Sequence, residues 1–366
     1  MSEASPKVDI TQLDKNFIVP GVGEFDMTYT NVTAAPLKLE GLPWFAENGN
    51  EFYRIPKSAV AEYQAAKSGM VSLSHCTSGV AVRFATDSKV VSLRGKLAYS
   101  LDMNHMPRAG SAGFDSYAGV AGGKLIYQKT FQPNRDQIEF EALIGLNDSG
   151  LMQEWLINFP LYGGVEVVEV GVEKGAKLQA PVAHKVAKPV LFYGSSITQG
   201  GCASRPGNNY TSMLCRAVDA EQINLGFSGS ARGEESMAEA IASLDLAVFV
   251  YDYDHNAPSN EHFQATHDKF FQIIRKKRPD LPVIMMNRCD YYDNADCRTR
   301  RDIVRATYEK AVAAGDKNVY FIDGESLFAG DLRDACTVDG CHPNDLGFFR
   351  MYASVLPVLK KALKLQ

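Results

Sequence analysis

The sequence has no apolar run near the roughly 20 residues that a membrane-spanning helix requires. Its opening residues, MSEASPKVDITQLDKNF, lack the basic and apolar segments of a secretory signal. Net positive charge is also absent: the formal net charge is −5 at pH 7, which offers no electrostatic attraction to nucleic acid or an anionic membrane. These absences predict a cytoplasmic protein whose partners include neither nucleic acid nor a membrane.

Paired cysteines are missing too. The chain has seven cysteines, an odd number without any C-x-x-C motif: Cys76, Cys202, Cys215, Cys289, Cys297, Cys336 and Cys341. Reduced thiols fit this pattern better than a disulfide framework does. Cys336 and Cys341 lie near His342, but they lack the paired spacing of a zinc site. We therefore expect no metal and no cofactor.

The first half of the chain has the period of β-strands. In GVAVRFAT, Val80, Val82 and Phe84 alternate with alanine or arginine. The later runs QIEFEALI, EWLINFPLY and VEVVEVGV are each bounded by Gly, Asn, Asp or Pro. Many short strands between turn residues predict an all-β sandwich or jelly roll over residues 1–183, ending at the Pro- and Lys-bearing junction LQAPVAHKVAKP.

The second half alternates short apolar runs with helix-like stretches. The apolar runs are VLFY, INLGF, LAVFVYDY, PVIMM and NVYFID. The helix-like stretches lie near 207–219, 234–243, 259–278, 296–314 and 345–364. Strands that are apolar on both faces and separated by helices predict a parallel sheet covered on both sides. Residues 184–366 are therefore expected to form a flavodoxin-like, doubly wound α/β domain.

Residues able to perform hydrolysis follow the predicted parallel strands. Ser196 follows the first strand, and Gly229 follows the second. Asn256 follows the third strand, and Asp339 and His342 lie in the loop after the fifth. Ligands of doubly wound sheets bind at the carboxyl ends of the strands. We therefore expect these separated residues to meet at one edge of the sheet.

A serine, a histidine and an aspartate can form a hydrolytic triad. A hydroxyl is a poor nucleophile at neutral pH, so Ser196 needs an imidazole that accepts its proton and an acid that orients the imidazole. Asp339 and His342, in TVDGCHPND, supply this base and its orienting acid on one loop. The combination predicts an esterase-type serine hydrolase.

The motifs also resemble a known family. GSSITQG is not the G-x-S-x-G elbow of α/β-hydrolases, because Thr198 stands where the second glycine belongs. Together with the Asp-x-x-His pair, it resembles the SGNH (GDSL-type) hydrolase family over roughly residues 189–366. The resemblance implies that Ser196 is the nucleophile and that Asp339 and His342 complete the triad.

The same resemblance implies an oxyanion hole. It is made by the backbone N–H of Ser196, by Gly229 in NLGFSGS and by the amide of Asn256 in DYDHNAP. Glycine lets a backbone N–H approach closely, and an asparagine amide adds a neutral donor. The chain departs from the family pattern at Ser195, where aspartate is usual, and at residues 254–257, where DHNA replaces G-x-N-D.

The first half resembles the β-sandwich that precedes the catalytic domain in certain bacterial SGNH esterases, on SHCTSGVAVRFATDS, HMPRAGSAGFDSY and NFPLYGGVEVVEVGV. The resemblance implies a metal-independent esterase that removes small acyl groups, above all acetyl, from acylated carbohydrate or another small ester. Its oligomeric state is left open, and a homo-oligomer is compatible with the sequence. Two alternatives remain: a lipase, lysophospholipase or thioesterase of the same fold, and a glycan-binding protein with a vestigial site.

Several aromatic and charged residues are weaker candidates. Trp44 either stacks on a sugar or packs in a core. Arg108, Phe114 and Tyr117 are candidates to cap the catalytic pocket. His255 is interpreted as a loop residue or a pocket wall.

Overall fold

The computed structural model describes residues 8–15, 18, 21–23, 25–99, 101–135 and 137–366. The strands are β1 (Met27–Asn31), β2 (Lys38–Glu40), β3 (Ala81–Thr86), β4 (Val90–Tyr99), β5 (Phe114–Gly119), β6 (Ile126–Phe131), β7 (Glu139–Leu146), β8 (Gln153–Asn158), β9 (Gly164–Glu173), β10 (Leu178–Gln179), β11 (Val186–Gly194), β12 (Ala220–Gly226), β13 (Val248–Asp252), β14 (Val283–Met286) and β15 (Val319–Ile322). The α-helices are α1 (Ile10–Leu13), α2 (Val60–Ala65), α3 (Met70–Leu73), α4 (Arg108–Ser111), α5 (Ser196–Gln199), α6 (Tyr210–Val218), α7 (Glu235–Ser243), α8 (Asn260–Lys277), α9 (Ala295–Ala313) and α10 (Asp345–Ala362). Within these ranges, no helix has both the length and the apolar character that a membrane crossing demands.

The first half of the chain folds into two antiparallel sheets. One has the strand order β1-β9-β4-β7, and the other has the order β10-β3-β8-β5-β6 with β2 also paired to β3. Both sheets contribute to one apolar core, Leu93 and Val168 from the first and Phe84 and Trp155 from the second. The prediction of an all-β region followed by a parallel sheet is confirmed. The jelly-roll connection and the division after residue 183 stay predictions.

The strand predicted from GVAVRFAT is buried more completely than its alternating pattern indicates. All six residues of β3 are buried. The reason is that its polar face is covered as well: the guanidinium of Arg83 lies 3.5 Å from a carboxylate oxygen of Glu40 and 3.4 Å from one of Glu154. A charged residue in an alternating strand therefore marks a buried ion pair here, where the pattern indicated a solvent-facing side.

The second half forms a five-stranded parallel sheet of order β12-β11-β13-β14-β15. In this order the first strand of the unit lies inside the sheet, as in flavodoxin-like folds. Successive side chains of β11 enter opposite layers: Leu191 and Tyr193 join the core under α7, α8 and α9, whereas Val190 and Phe192 join the core under α6 and α10. Every residue of the central strands β13 and β14 is buried, because both faces of these strands are covered.

Arg54 joins the all-β half to the parallel sheet. Its guanidinium donates hydrogen bonds to four backbone carbonyls, those of Leu73, Cys76, Asn224 and Gly226, at 2.7 to 2.9 Å. Its side chain is only 1% exposed, and burial lowers its pKa to about 10. The fork of guanidinium donors satisfies carbonyls from both halves that are otherwise out of reach of water.

We expect Arg54→Ala to lower the free energy of unfolding by at least about 3 kcal/mol, because several buried carbonyls lose their donor. The stability of Arg54→Lys should lie between those of wild type and Arg54→Ala, since an ammonium group cannot reproduce the fork of guanidinium donors. Arg135→Ala, at a side chain that is 76% exposed, is the matched control and should change stability little. Denaturant unfolding measures all three, and equal midpoints for Arg54→Ala and Arg135→Ala would contradict the role of Arg54.

Candidate active site

The residues predicted to form the site meet at the carboxyl edge of the parallel sheet. Ser196 begins α5 directly after β11, and Gly229 lies in the loop after β12. Asn256 ends a short 3-10 turn after β13, and Asp339 and His342 lie between β15 and α10. The convergence expected from the sequence is present in the fold.

Ser196, His342 and Asp339 form a continuous chain of hydrogen bonds. The Ser196 hydroxyl donates to Nε2 of His342 at 2.9 Å, and Nδ1 of His342 donates to Oδ2 of Asp339 at 2.7 Å. The histidine side chain is 25% exposed, so the relay is open to solvent on one side. This is the geometry in which an imidazole can take a proton from a serine hydroxyl.

The carboxylate of Asp339 is held ionised by its own loop. Its Oδ1 accepts the backbone N–H of Cys341 at 2.9 Å and that of His342 at 2.7 Å. Burial alone would raise the pKa of Asp339, but these bonds and the imidazole together lower it to about 2. An acceptor that stays ionised holds the proton on Nδ1 of His342 and leaves Nε2 free to accept.

The residues around Ser196 fix the start of α5. The Ser195 hydroxyl caps the helix by accepting the N–H of Ile197 at 3.1 Å. The Thr198 hydroxyl donates to Oδ1 of the buried Asp252 at 2.5 Å. Ser195 therefore performs the capping that the usual aspartate would perform, without adding a charge beside the nucleophile.

A hydrogen-bond network fixes the loop that carries the candidate oxyanion glycine. Gln199 accepts the backbone N–H of Ser228 at 3.0 Å and donates to the carbonyl of Leu161 at 3.2 Å. The hydroxyl of Tyr162 lies 2.8 Å from that of Ser228. Gly226 allows this close packing, because a Cβ there would lie 2.1 Å from the Gln199 nitrogen. The all-β half thus helps to position a catalytic loop.

The candidate oxyanion donors lie on two loops joined to each other. Gly229 has a φ of +64°, and a Cβ built there would meet open space. The side-chain amide of Asn256 donates one hydrogen to the carbonyl of Phe227 at 2.9 Å. Phe227 in turn donates its N–H to the carbonyl of Gly194, next to the serine motif, at 3.0 Å. These bonds fix the two donor loops beside the start of α5.

A buried ionic network supports the loop of the candidate asparagine. Nε2 of His255 lies 2.7 Å from Asp290, whose carboxylate also binds the guanidinium of Arg288 through both oxygens. The backbone N–H of Arg288 donates to Oδ2 of Asp254 at 2.9 Å. Burial opposes protonation of His255, but hydrogen bonds to Asp254, Asp290 and Cys341 raise its pKa well above the usual value. His255 therefore links the asparagine loop to the triad loop, with its protonated form favoured by these partners.

Three of the weaker candidates lie inside cores. Trp44 is 6% exposed and packs against the parallel sheet, so it does not offer a face to a sugar. Phe114 is completely buried between the two antiparallel sheets, and Tyr117 is 3% exposed. Neither aromatic ring is exposed, so these two candidates are not available to cap a pocket. Arg108 lies at the start of α4 and pairs with Asp102 at 2.7 Å.

One histidine near the triad was not predicted from the sequence. His105 lies between β4 and α4, and its ring centroid is 5.8 Å from that of His342 at an interplanar angle of 71°. It belongs to the stretch HMPRAG, which carries neither strand period nor catalytic spacing. Gln199 was also missed, although it is part of the serine motif itself.

The comparisons with known proteins agree with the fold of both halves. Residues 187–360 match the model of the GDSL-like lipase/acylhydrolase family, and residues 27–178 match the model of the N-terminus of SGNH-hydrolase-type esterases. No protein of curated function matches the chain.

Solved structures resemble both halves together. A protein from Bacteroides ovatus described as a GDSL-like lipase has 28% identity and a TM-score of 0.80, over 93% of this chain and 99% of that one. The salicylyl-acyltransferase SsfX3 from a tetracycline biosynthetic pathway has 19% identity and a TM-score of 0.73 over the same shares. The acetyl xylan esterase Est2A from Butyrivibrio proteoclasticus has 12% identity and a TM-score of 0.55, also over 93% and 99%. The last two show the fold alone. The two family models lie on either side of the predicted junction and each describes a part of SGNH enzymes, so residues 187–360 belong to the SGNH (GDSL-type) hydrolase family and residues 27–178 to the N-terminal domain of its esterases.

Proposed function

We propose that this protein is a serine esterase that removes small acyl groups, above all acetyl, from carbohydrate. The observation that carries the proposal is the hydrogen-bonded chain from Ser196 through His342 to Asp339. Family membership supports ester hydrolysis. The carbohydrate is supported by the names of family two carbohydrate esterases and of the acetyl xylan esterase, which share the fold, and the acetyl group by the name of the last.

The first half of the reaction forms an acyl-enzyme. Nε2 of His342 takes the Ser196 proton as the hydroxyl oxygen attacks the ester carbonyl, and Asp339 stabilises the imidazolium that forms. The backbone N–H groups of Ser196 and Gly229 and the amide of Asn256 donate to the oxyanion. As the bond between the carbonyl carbon and the sugar oxygen breaks, His342 gives its proton to that oxygen, the sugar leaves as an alcohol, and the acyl group remains on Ser196.

The second half of the reaction releases the acid. A water molecule enters from the exposed side of His342, loses a proton to Nε2 and attacks the acyl-enzyme carbonyl. The same donors hold the second oxyanion. Collapse of this intermediate frees the carboxylic acid and returns the proton to Ser196.

Acyl transfer to an alcohol is a second candidate, favoured by one observation. The salicylyl-acyltransferase has a TM-score of 0.73, against 0.55 for the acetyl xylan esterase. Both reactions pass through an acyl-enzyme, and they differ only in whether water or an alcohol attacks it. A lipase, lysophospholipase or thioesterase of the same fold also uses this triad and differs in the acyl chain and the leaving group.

We expect Ser196→Ala to lower kcat for acetyl esters by at least about 10³-fold, because the triad acts as a unit and only oxyanion donors and binding remain. Ser195→Ala is the matched control: it removes a helix cap, worth about 1 kcal/mol, and leaves the nucleophile in place. Release of 4-nitrophenol from its acetate ester measures both. Equal rates for wild type and Ser196→Ala would remove Ser196 from the proposed role.

Asn256→Ala should lower kcat by about 10²–10³-fold with little change in KM, because the lost donor acts on the transition state. Asn256→Asp should be slower than Asn256→Ala, since a carboxylate repels the oxyanion. Steady-state kinetics of the three proteins test the ranking. An increase in KM at constant kcat would show that Asn256 binds substrate in the ground state instead.

An acyl-chain and acceptor panel separates the candidate functions. We expect kcat/KM for acetyl esters to exceed that for octanoyl esters by at least about tenfold, and acetate to be released from acetylated oligosaccharides with water as acceptor. A preference for octanoyl esters would favour the lipase alternative. Formation of a new ester with an added alcohol, in preference to free acid, would favour the acyltransferase. Glycan binding without acetate release would favour the vestigial alternative.

A further inference from the structure

Two further metal-ligating side chains lie beside the candidate base, His342. A ring nitrogen of His105, the sulfur of Cys202 and a ring nitrogen of His342 all lie within 4.8 Å of one another. His105 comes from the all-β half, Cys202 follows α5 and His342 precedes α10. His105 is exposed, which leaves the group accessible from solvent. The hydrolytic steps above use only His342 of the three.

Two imidazoles and one thiolate are a ligand set that zinc prefers. Zinc takes nitrogen and sulfur ligands in a tetrahedral arrangement, and three protein ligands leave the fourth position to water. Exposed acidic groups are absent from this set, so its composition selects against calcium and magnesium.

A second group of possible ligand atoms is less suited to a metal cation. His255, Asp290 and Cys341 also lie within 4.8 Å of one another. There, however, the guanidinium of Arg288 binds both oxygens of Asp290, and Nε2 of His255 lies 2.7 Å from the same carboxylate. A metal cation would have to displace these partners of Asp290. The existing contacts therefore favour the first group over the second.

We propose that His105, Cys202 and His342 form an inhibitory site for zinc. Nε2 of His342 accepts from Ser196 and Nδ1 donates to Asp339, so coordination at either nitrogen breaks one hydrogen bond of the triad. The thiol proton of Cys202 passes to solvent as its sulfur binds the metal. The inhibitory part rests on the proposed esterase function, whereas metal binding itself does not.

The experiment has a binding arm and an activity arm. Purified full-length protein, freed of metal by a chelator, is titrated with ZnCl₂ by calorimetry and with CoCl₂ by absorbance, in which thiolate coordination gives a charge-transfer band. Wild type should bind one zinc ion, with acetyl-ester hydrolysis lost in parallel and restored by chelator. The same titrations are made on His105→Gln, Cys202→Ser and Ser196→Ala.

His105→Gln is the decisive variant, because it keeps the triad and removes one ligand. It should hydrolyse acetyl esters like wild type and bind zinc at least about tenfold more weakly. The zinc concentration that inhibits hydrolysis should rise by the same factor. Cys202→Ser should lose the thiolate band of cobalt. The matched control is His262→Gln, which should keep wild-type zinc affinity. His262 lies outside the cluster and contacts the carbonyl of Arg232.

Ser196→Ala separates this proposal from the function proposed above. It should be inactive but bind zinc at least as tightly as wild type, because Nε2 of His342 no longer has a hydroxyl partner. If wild type has no esterase activity, the binding arm still decides. Absence of zinc binding by wild type, or equal zinc affinity in His105→Gln and wild type, would overturn the site.

Discussion

The hydrogen bond between Ser196 and His342 joins residues 146 positions apart, so it depends on the register of the parallel sheet. Adjacent strands pair in parallel from Val190 to Gly194, which brings the ends of β11, β12 and β13 to one level. Ser196, Gly229 and Asn256 lie two, three and four residues after these ends. A slip of register by one residue would turn the side chains of a strand to the opposite face, and it would also separate Ser196 from the candidate oxyanion donors.

The all-β half is part of the site's mechanical support. Its backbone carbonyl at Leu161 and its Tyr162 hydroxyl hold Gln199 and Ser228, and Arg54 binds carbonyls at the end of β12. These contacts are short and directional, so their loss would displace the loop that carries Ser228 and Gly229. The parallel-sheet half alone does not supply these contacts.

The sequence predicted what depends on local pattern. The buried runs of β11 and its neighbours identified a parallel sheet, since both faces of each strand are covered, and the motif spacing identified Ser196, Asp339 and His342 as residues that meet. The network of His255 and the position of His105 depend on contacts between loops, which have no period in the sequence. The sequence left Phe114 open between a pocket and a core for a related reason: an aromatic residue near a loop gives the same pattern in both.

The proposed reaction and the proposed metal site both depend on the accessibility of the His342 imidazole. A general base has to be accessible, and the 25% exposure of this side chain admits water and substrate. Asp339, ionised because its pKa is about 2, stabilises positive charge on the imidazole whether a proton or a metal ion brings it. The nearby His105 nitrogen and Cys202 sulfur then favour the metal over the proton. The Ser196 hydroxyl binds His342 through a single hydrogen bond, which a metal ion at Nε2 would replace. Zinc sensitivity therefore follows from the same arrangement that makes the histidine a base.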